Sequence, residues 1–210
     1  MFNLTKDELK IFKKLNTPIK IQNFLDTLSI NFEKDGDVNM SPRQVLKHNK
    51  AHCFEGALFA ATALWIHGQK PLVLELKVPG DINHMVALYK VDGYWGAISK
   101  TNHLALRFRD PIYKTIRELV LSYMHECWKD TTGKKVLVGY AGPFDMKKFG
   151  TDWITDEKDL YPIAEKFYDT KTIRLIDKKQ ERYLRPADAF ERTLGNITEW
   201  EDEYIKRSTI

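Results

Sequence analysis

Apolar residues recur at helical spacing through the first third of the chain, then alternate with polar ones. Thr5 and Glu8 have the form of a capping box, and Leu9, Phe12 and Leu15 line one side of the helix it opens. That helix stops near Pro18, where "IQNFLDTLSINFE" begins a second amphipathic segment, and "EKDGDVNM" reads as a loop. Ser41, Pro42 and Gln44 give an N-cap, a proline at the first helical position and a box residue, so they predict a short third helix. A fourth is predicted from about Cys53 to His67, stopped by Gly68. The period then changes to that of strands. "PLVLELKV" and "HMVALYKV" read as strands, and Asp92-Gly93 is a two-residue hairpin signal leading into "YWGAISK". "LALRFR" reads as a further strand. Asp110-Pro111 is expected to open a helix with Ile116, Leu119, Val120, Tyr123, Met124 and Cys127 on its apolar face. "KKVLVGY" reads as a strand, "DEKDLYPIAEKFYD" as a helix bent at Pro162, and the chain from about Arg185 as a helical segment with a charged tail. Helices followed by hairpin-linked strands imply an α+β domain.

Composition narrows the function classes. The chain has 210 residues, 43% of them hydrophobic and 12% aromatic, enough to bury a core. Its 33 basic and 29 acidic residues, net +4, are interspersed, so no nucleic-acid tail is indicated. The opening "MFNLTKDELKIFKK" is charged throughout, and no apolar run approaches the roughly 20 residues of a bilayer span. A cytoplasmic protein without membrane contact is expected. The triplets starting at Asn3 and Asn196 read as chance matches to a glycosylation signal, and two distant cysteines make no disulfide framework.

Chemistry concentrates at "AHCFEGALFAATALWIHG". A thiol at a helix N-terminus lies near unpaired N–H groups and the positive dipole end, which favour thiolate and can hold an oxyanion. Such a nucleophile needs a base, and the base an orienting partner. If Asp92-Gly93 is a two-residue turn, Val91 pairs with Tyr94 and the count runs back to Val86 opposite Ser99 and His84 opposite Thr101. His84 and Ser99 then become diagonal neighbours on one face. Asn102 falls on the opposite face unless a bulge intervenes. Rival readings are plain. Cys53 suits a small buried hydrophobe, Cys127 suits core packing, and Glu55 suits a first-turn acid. A metal site from His48, His52 and Cys53 is opposed by the helix break predicted between them.

The residues around Cys53 resemble the transglutaminase-like superfamily, a branch of the papain-like cysteine enzymes. In that pattern a lead-in helix precedes a helix opened by Cys, with a small residue, a leucine and a glycine at set distances. Here "SPRQVLKHNKAHC" leads in, and Cys53, Ala57, Leu64 and Gly68 fill those positions, although His52 stands where a small residue is usual. Downstream the family has His at a strand start, a hairpin Trp, and Asp four places beyond it. His84, Trp95 and Ser99 stand there, so serine replaces the acid. The match covers Pro42 to Asn102. It implies a core over residues 1–128, with the cysteine helix packed on an antiparallel sheet, and a C-terminal α/β extension over 129–210 packed on it in the same compact unit. It also implies acyl transfer on a peptide or protein amide, by hydrolysis rather than crosslinking, with Cys53 as nucleophile, His84 as base and Ser99 as orienter. No cofactor and no metal enter that chemistry. The Cys53 N–H and a side chain from the His48–Asn49 loop would hold the oxyanion. A serine brings no charge to stabilise imidazolium, so Asp81 or Asn102 are alternative acceptors, and a catalytically impaired binding module is the alternative function.

Overall fold

The structure is a computed structural model that describes residues 2–32, 38–80, 83–195 and 197–199. Asp81, Asn196, most of the loop expected over 33–40 and the charged tail lie outside the described residues.

Four helices lead the chain: α1 (Lys6–Lys14), α2 (Pro18–Thr27), α3 (Pro42–His48) and α4 (Cys53–Ile66). Thr5, Thr17 and Ser41 cap the first three through their hydroxyls, and prolines open α2 and α3. The chain around α3 is pinned by a two-stranded parallel pair, β1 (Ser29–Ile30) and β2 (Lys50–Ala51). A six-stranded antiparallel sheet follows: β3 (Leu72–Lys77), β4 (His84–Val91), β5 (Tyr94–Ser99), β6 (Arg109–Tyr113), β7 (Gly139–Asp145) and β8 (Ile173–Arg174), in the order β6-β5-β4-β3-β7-β8. The architecture is therefore mixed α+β. The C-terminal third supplies β7, hydrogen-bonded along β3, so it completes the same sheet.

α4 is buried from Cys53 through Leu64. A helix apolar all round must be enclosed on every side. The sheet covers one side of α4, and α1, α2 and α3 cover others. Phe12, Ile21, Leu25 and Val45 pack with Phe59, Ala63, Ala87 and Ile98. Further along the same sheet face, Cys53, Phe54, Ala57 and Leu58 pack with Val73, Met85, Trp153 and Phe167. The opposite face carries Leu74, Leu76, Val86, Leu88 and Ala97 under Leu119, Val120, Tyr123 and Cys127. Because both faces are buried, β3 and β4 read as near-continuous apolar runs. Among the described residues no helix is long and apolar enough to cross a membrane.

Four expectations are corrected. The strand expected over "LALRFR" lies later, at Arg109–Tyr113, because Leu106 takes a left-handed turn (φ 60°). Pro111 does not open a helix; it sits in β6, a sheet-edge strand, where a missing N–H is tolerated. The helix is instead capped by Thr115 with Glu118 and runs as α5 (Ile116–Leu121), then tightens to a 3₁₀ turn at Met124–Glu126. Its apolar residues Leu119, Val120, Tyr123, Met124 and Cys127 still share one core cluster. The strand read in "KKVLVGY" begins only at Gly139, since Val136 bonds to Cys127 beside an isolated bridge and Val138, bonded to Lys77 and Leu175, lies just outside the ladder. Pro162 starts α6 (Tyr161–Tyr168) instead of bending it. The described part of the C-terminal segment holds one short helix, Ala189–Arg192.

Candidate active site

The hairpin fixes the register. Asp92 (φ 49°) and Gly93 (φ 89°) both take positive φ, as a two-residue primed turn requires. Val91 then faces Tyr94, and the pairing runs without slip to Val86 opposite Ser99. The ladder ends at that pair. His84 and Ser99 project from one face, and His84 Nε2 lies 2.8 Å from Ser99 Oγ.

Proton placement follows from the next contact. The Ser99 hydroxyl donates its only hydrogen to the Leu106 carbonyl at 2.5 Å. It therefore meets His84 with a lone pair, and Nε2 carries the ring proton. The lone pair of the neutral imidazole is left on Nδ1. Leu106 presents its carbonyl from a left-handed conformation that a leucine rarely adopts. Its N–H donates to Glu126 Oε2 at 2.8 Å, and Glu126 Oε1 is paired with Arg109 Nη2 at 2.5 Å. Ser99 is thus backed by a backbone carbonyl whose residue is itself held by an ion pair.

Cys53 is the first residue of α4 and a free, buried thiol, 5% exposed. Its N–H belongs to the helical turn whose donors have no intrahelical partner. Glu55 is more than a first-turn acid. One of its oxygens accepts from the His52 N–H at 3.0 Å and the other from Asn31 Nδ2 at 3.2 Å. Burial pushes its carboxyl above the ordinary range, against the pull of those bonds. Gly56 brings this turn to the sheet: a Cβ there would lie 2.5 Å from Lys100 Cβ, one residue past Ser99. Thiol and imidazole consequently occupy the same end of the sheet. They start from different faces, Cys53 beside Met85 and His84 in line with Val86. Among the described residues no hydrogen bond joins the sulfur to the ring. Replacing Gly56 with alanine is expected to destabilise by about 1–3 kcal/mol through overpacking, outweighing the gain of ~1 kcal/mol in helix propensity. Thermal unfolding of Gly56→Ala measures it, and a raised midpoint would contradict the close approach.

The start of β4 is anchored separately. Asn83 Oδ1 accepts from the Val78 N–H at 2.9 Å, and its Nδ2 donates to Glu75 Oε1 at 2.8 Å. Glu75 is fully buried, and its other oxygen lies 2.6 Å from Lys77 Nζ. Lys77 Nζ also donates to the carbonyls of Phe167 and Tyr168, at 3.2 and 2.9 Å, at the end of α6.

No family model matches the chain, and no curated protein does.

The remaining candidates take other places. His48 and Asn49 are exposed, Asn49 closing α3 in a left-handed conformation. The carbonyl of Asn102 accepts from the Glu199 N–H at 2.7 Å. Cys127 is buried beside Leu106 at the wall of a cavity of about 110 Å³. Among the described residues no group of three or more His, Cys, Asp and Glu side chains is gathered to hold a metal ion. Leu106, Glu126, Gln22 and Asn83 were not legible as site residues. Leu106 acts through its backbone, which leaves no mark in the sequence, whereas Glu75 and Lys77 interrupt an otherwise apolar strand and carry a visible signal.

Proposed function

We propose that the protein is a cysteine-dependent acyl-transfer enzyme acting on a peptide or isopeptide bond, within a transglutaminase-like frame. The observation that carries the reading is the Leu106–Ser99–His84 chain, because it leaves a base lone pair on Nδ1 at the sheet end where α4 begins with a thiol. The resemblance around Cys53, Ala57, Leu64 and Gly68 supports the same assignment.

The reaction needs no group beyond the chain, its substrate and water. Around the end of the sheet, from whose opposite faces the two side chains start, Cys53 yields its thiol proton to His84 Nδ1, and the thiolate attacks the amide carbon. The tetrahedral oxyanion is held by the Cys53 N–H. As the C–N bond breaks, Nδ1–H protonates the leaving amine. Water, deprotonated by the ring, then attacks the thioester and releases the acid and the thiol. An amine in place of water would give crosslinking, so solvent access decides the outcome. Through Ser99, the Leu106 carbonyl dipole supports the imidazolium formed in the first step. A dipole stabilises that cation less than a carboxylate does, so turnover slower than that of an aspartate triad is expected. A working thiol nucleophile also fits a reducing, cytoplasmic setting.

A binding module that keeps the fold without turnover is the second reading. It is favoured by Cys53 packing beside Met85, on the face away from the ring. Iodoacetamide labelling, with the Cys53 peptide followed by mass spectrometry, separates the two. For an enzyme, Cys53 reacts at about pH 6.5 faster than an unstructured cysteine peptide, and His84→Ala slows it by on the order of tenfold or more. Slow labelling that ignores the substitution would leave only the binding module.

A further inference from the structure

We propose that Gln22 is a positioning residue for His84, acting through Ser99; the assignment rests on the acyl-transfer reading only for its catalytic meaning. Gln22 lies on α2 and is 7% exposed, 77 residues away from Ser99 in the chain. Its Oε1 accepts from the Ser99 N–H at 3.0 Å, and its Nε2 donates to the Ser99 carbonyl at 2.9 Å. The second Nε2 hydrogen goes to Asp26 Oδ1 at 2.8 Å. A carboxylate only accepts, so Asp26 dictates which end of the amide is nitrogen and sets Oε1 against the Ser99 N–H.

Ser99 needs this clamp because the sheet stops beside it. On its outer edge the last β5–β6 pair is Ala97 with Arg109, two residues short of Ser99. Both backbone groups of Ser99 point outward there, and the Gln22 amide takes the place of the missing strand. Ending the β6 ladder early also frees the chain around Leu106 to fold back onto the Ser99 hydroxyl. Without Gln22, neither backbone group of Ser99 would be held, since both point away from β4. Its hydroxyl would then lose the fixed geometry that selects the Nε2–H tautomer of His84.

The test uses the full chain, in which long-range ¹H–¹⁵N spectra report the His84 tautomer and iodoacetamide reports Cys53. Gln22→Met is expected to release the Nε2–H tautomer into a mixture and to slow Cys53 labelling by roughly 10–100-fold, the scale of a small misplacement of a base. Ser99→Ala is expected to do the same, and the double variant to add nothing further, as two links of one chain require. A merely structural Gln22 predicts the opposite: a folded Gln22→Met with the His84 tautomer intact, or rate losses that multiply in the double variant. Either overturns the assignment. If Gln22→Met does not fold, Gln22→Glu carries the same measurements, since it keeps the acceptor for the Ser99 N–H and loses the Nε2 donors to the Ser99 carbonyl and to Asp26. Failure of the acyl-transfer reading looks different. His84→Ala would then leave Cys53 labelling unchanged while Gln22→Met still shifted the ring spectrum.

Discussion

Replacing Lys77 with methionine is expected to lower stability by about 3–5 kcal/mol, the usual cost of stranding one partner of a buried ion pair. Glu75 is inaccessible to solvent and sits 2.6 Å from the Lys77 ammonium. Removing that cation leaves a carboxylate in the core with, among the described residues, the Asn83 amide to answer it. The same substitution exposes a second deficit. The Lys77 ammonium donates to the carbonyls of Phe167 and Tyr168. Those are end groups of α6, where a cation is favourable, although Phe167 keeps the bond from the Thr170 N–H. One lysine thus ties β3, the start of β4 and the C-terminal helix together. A second substitution isolates the charge. Glu75→Gln in the Lys77→Met background keeps an acceptor for Asn83 and removes the stranded anion, so more than half of the loss should return. Urea unfolding of both variants, with unchanged denaturant slope, gives the comparison. A loss below about 1 kcal/mol in the single variant would mean that water reaches Glu75 and the pair is not a core element.

This network also marks what the sequence makes legible. Elements with local signals lay where pattern reading puts them: the Thr5 and Ser41 caps, the apolar α4, and the Asp92-Gly93 turn with its register through Ser99. Each is decided by residues within a few positions of one another. The His84–Ser99 contact followed from counting along that hairpin, because side-chain alternation has a fixed period. The misplaced elements are those decided at a distance. "LALRFR" alternates like a strand, but its Leu106 is turned left-handed by Ser99 on one side and Glu126 on the other. "KKVLVGY" has strand composition, yet its first residues lie against Cys127 and Lys77 without a ladder. For the site, the thiol, the imidazole and the serine were visible as residue types. The clamp that holds the serine was not, since Gln22 lies on another element and Leu106 contributes a carbonyl that every residue possesses.

The second buried lysine should make the protein more stable as the solution turns alkaline. Lys100 is 3% exposed, and its Nζ donates to the Leu28 carbonyl, the C-cap of α2, at 2.6 Å. Like Lys77 it serves a helix end, but unlike Lys77 it has no carboxylate within ion-pair distance among the described residues. Asp26 and Glu199 attract it only from further off, and Arg107 opposes them. Burial dominates and pushes its pKa down to about 8, from 10.5 in the unfolded chain. The sign follows directly. Between those values the unfolded chain holds a proton that the folded one has shed, so stability rises with pH across that window. The full interval is worth about 3 kcal/mol, and the span from about pH 7.5 to 9.5 captures most of what is measurable. Above pH 10 the buried phenols of Tyr89 and Tyr123 act in the opposite sense. Burial raises both, so ionising the unfolded chain pulls the equilibrium towards it. Lys100→Met should abolish the alkaline rise. At neutral pH its net effect is small, because the charge penalty it removes is offset by the Leu28 carbonyl it leaves unpaired, at about 1–3 kcal/mol. Chemical denaturation of both proteins across the window therefore reads the slope rather than the offset. Equal slopes would show that the ammonium reaches water and that the chain past Ser99 packs less closely on α4 than Gly56 implies.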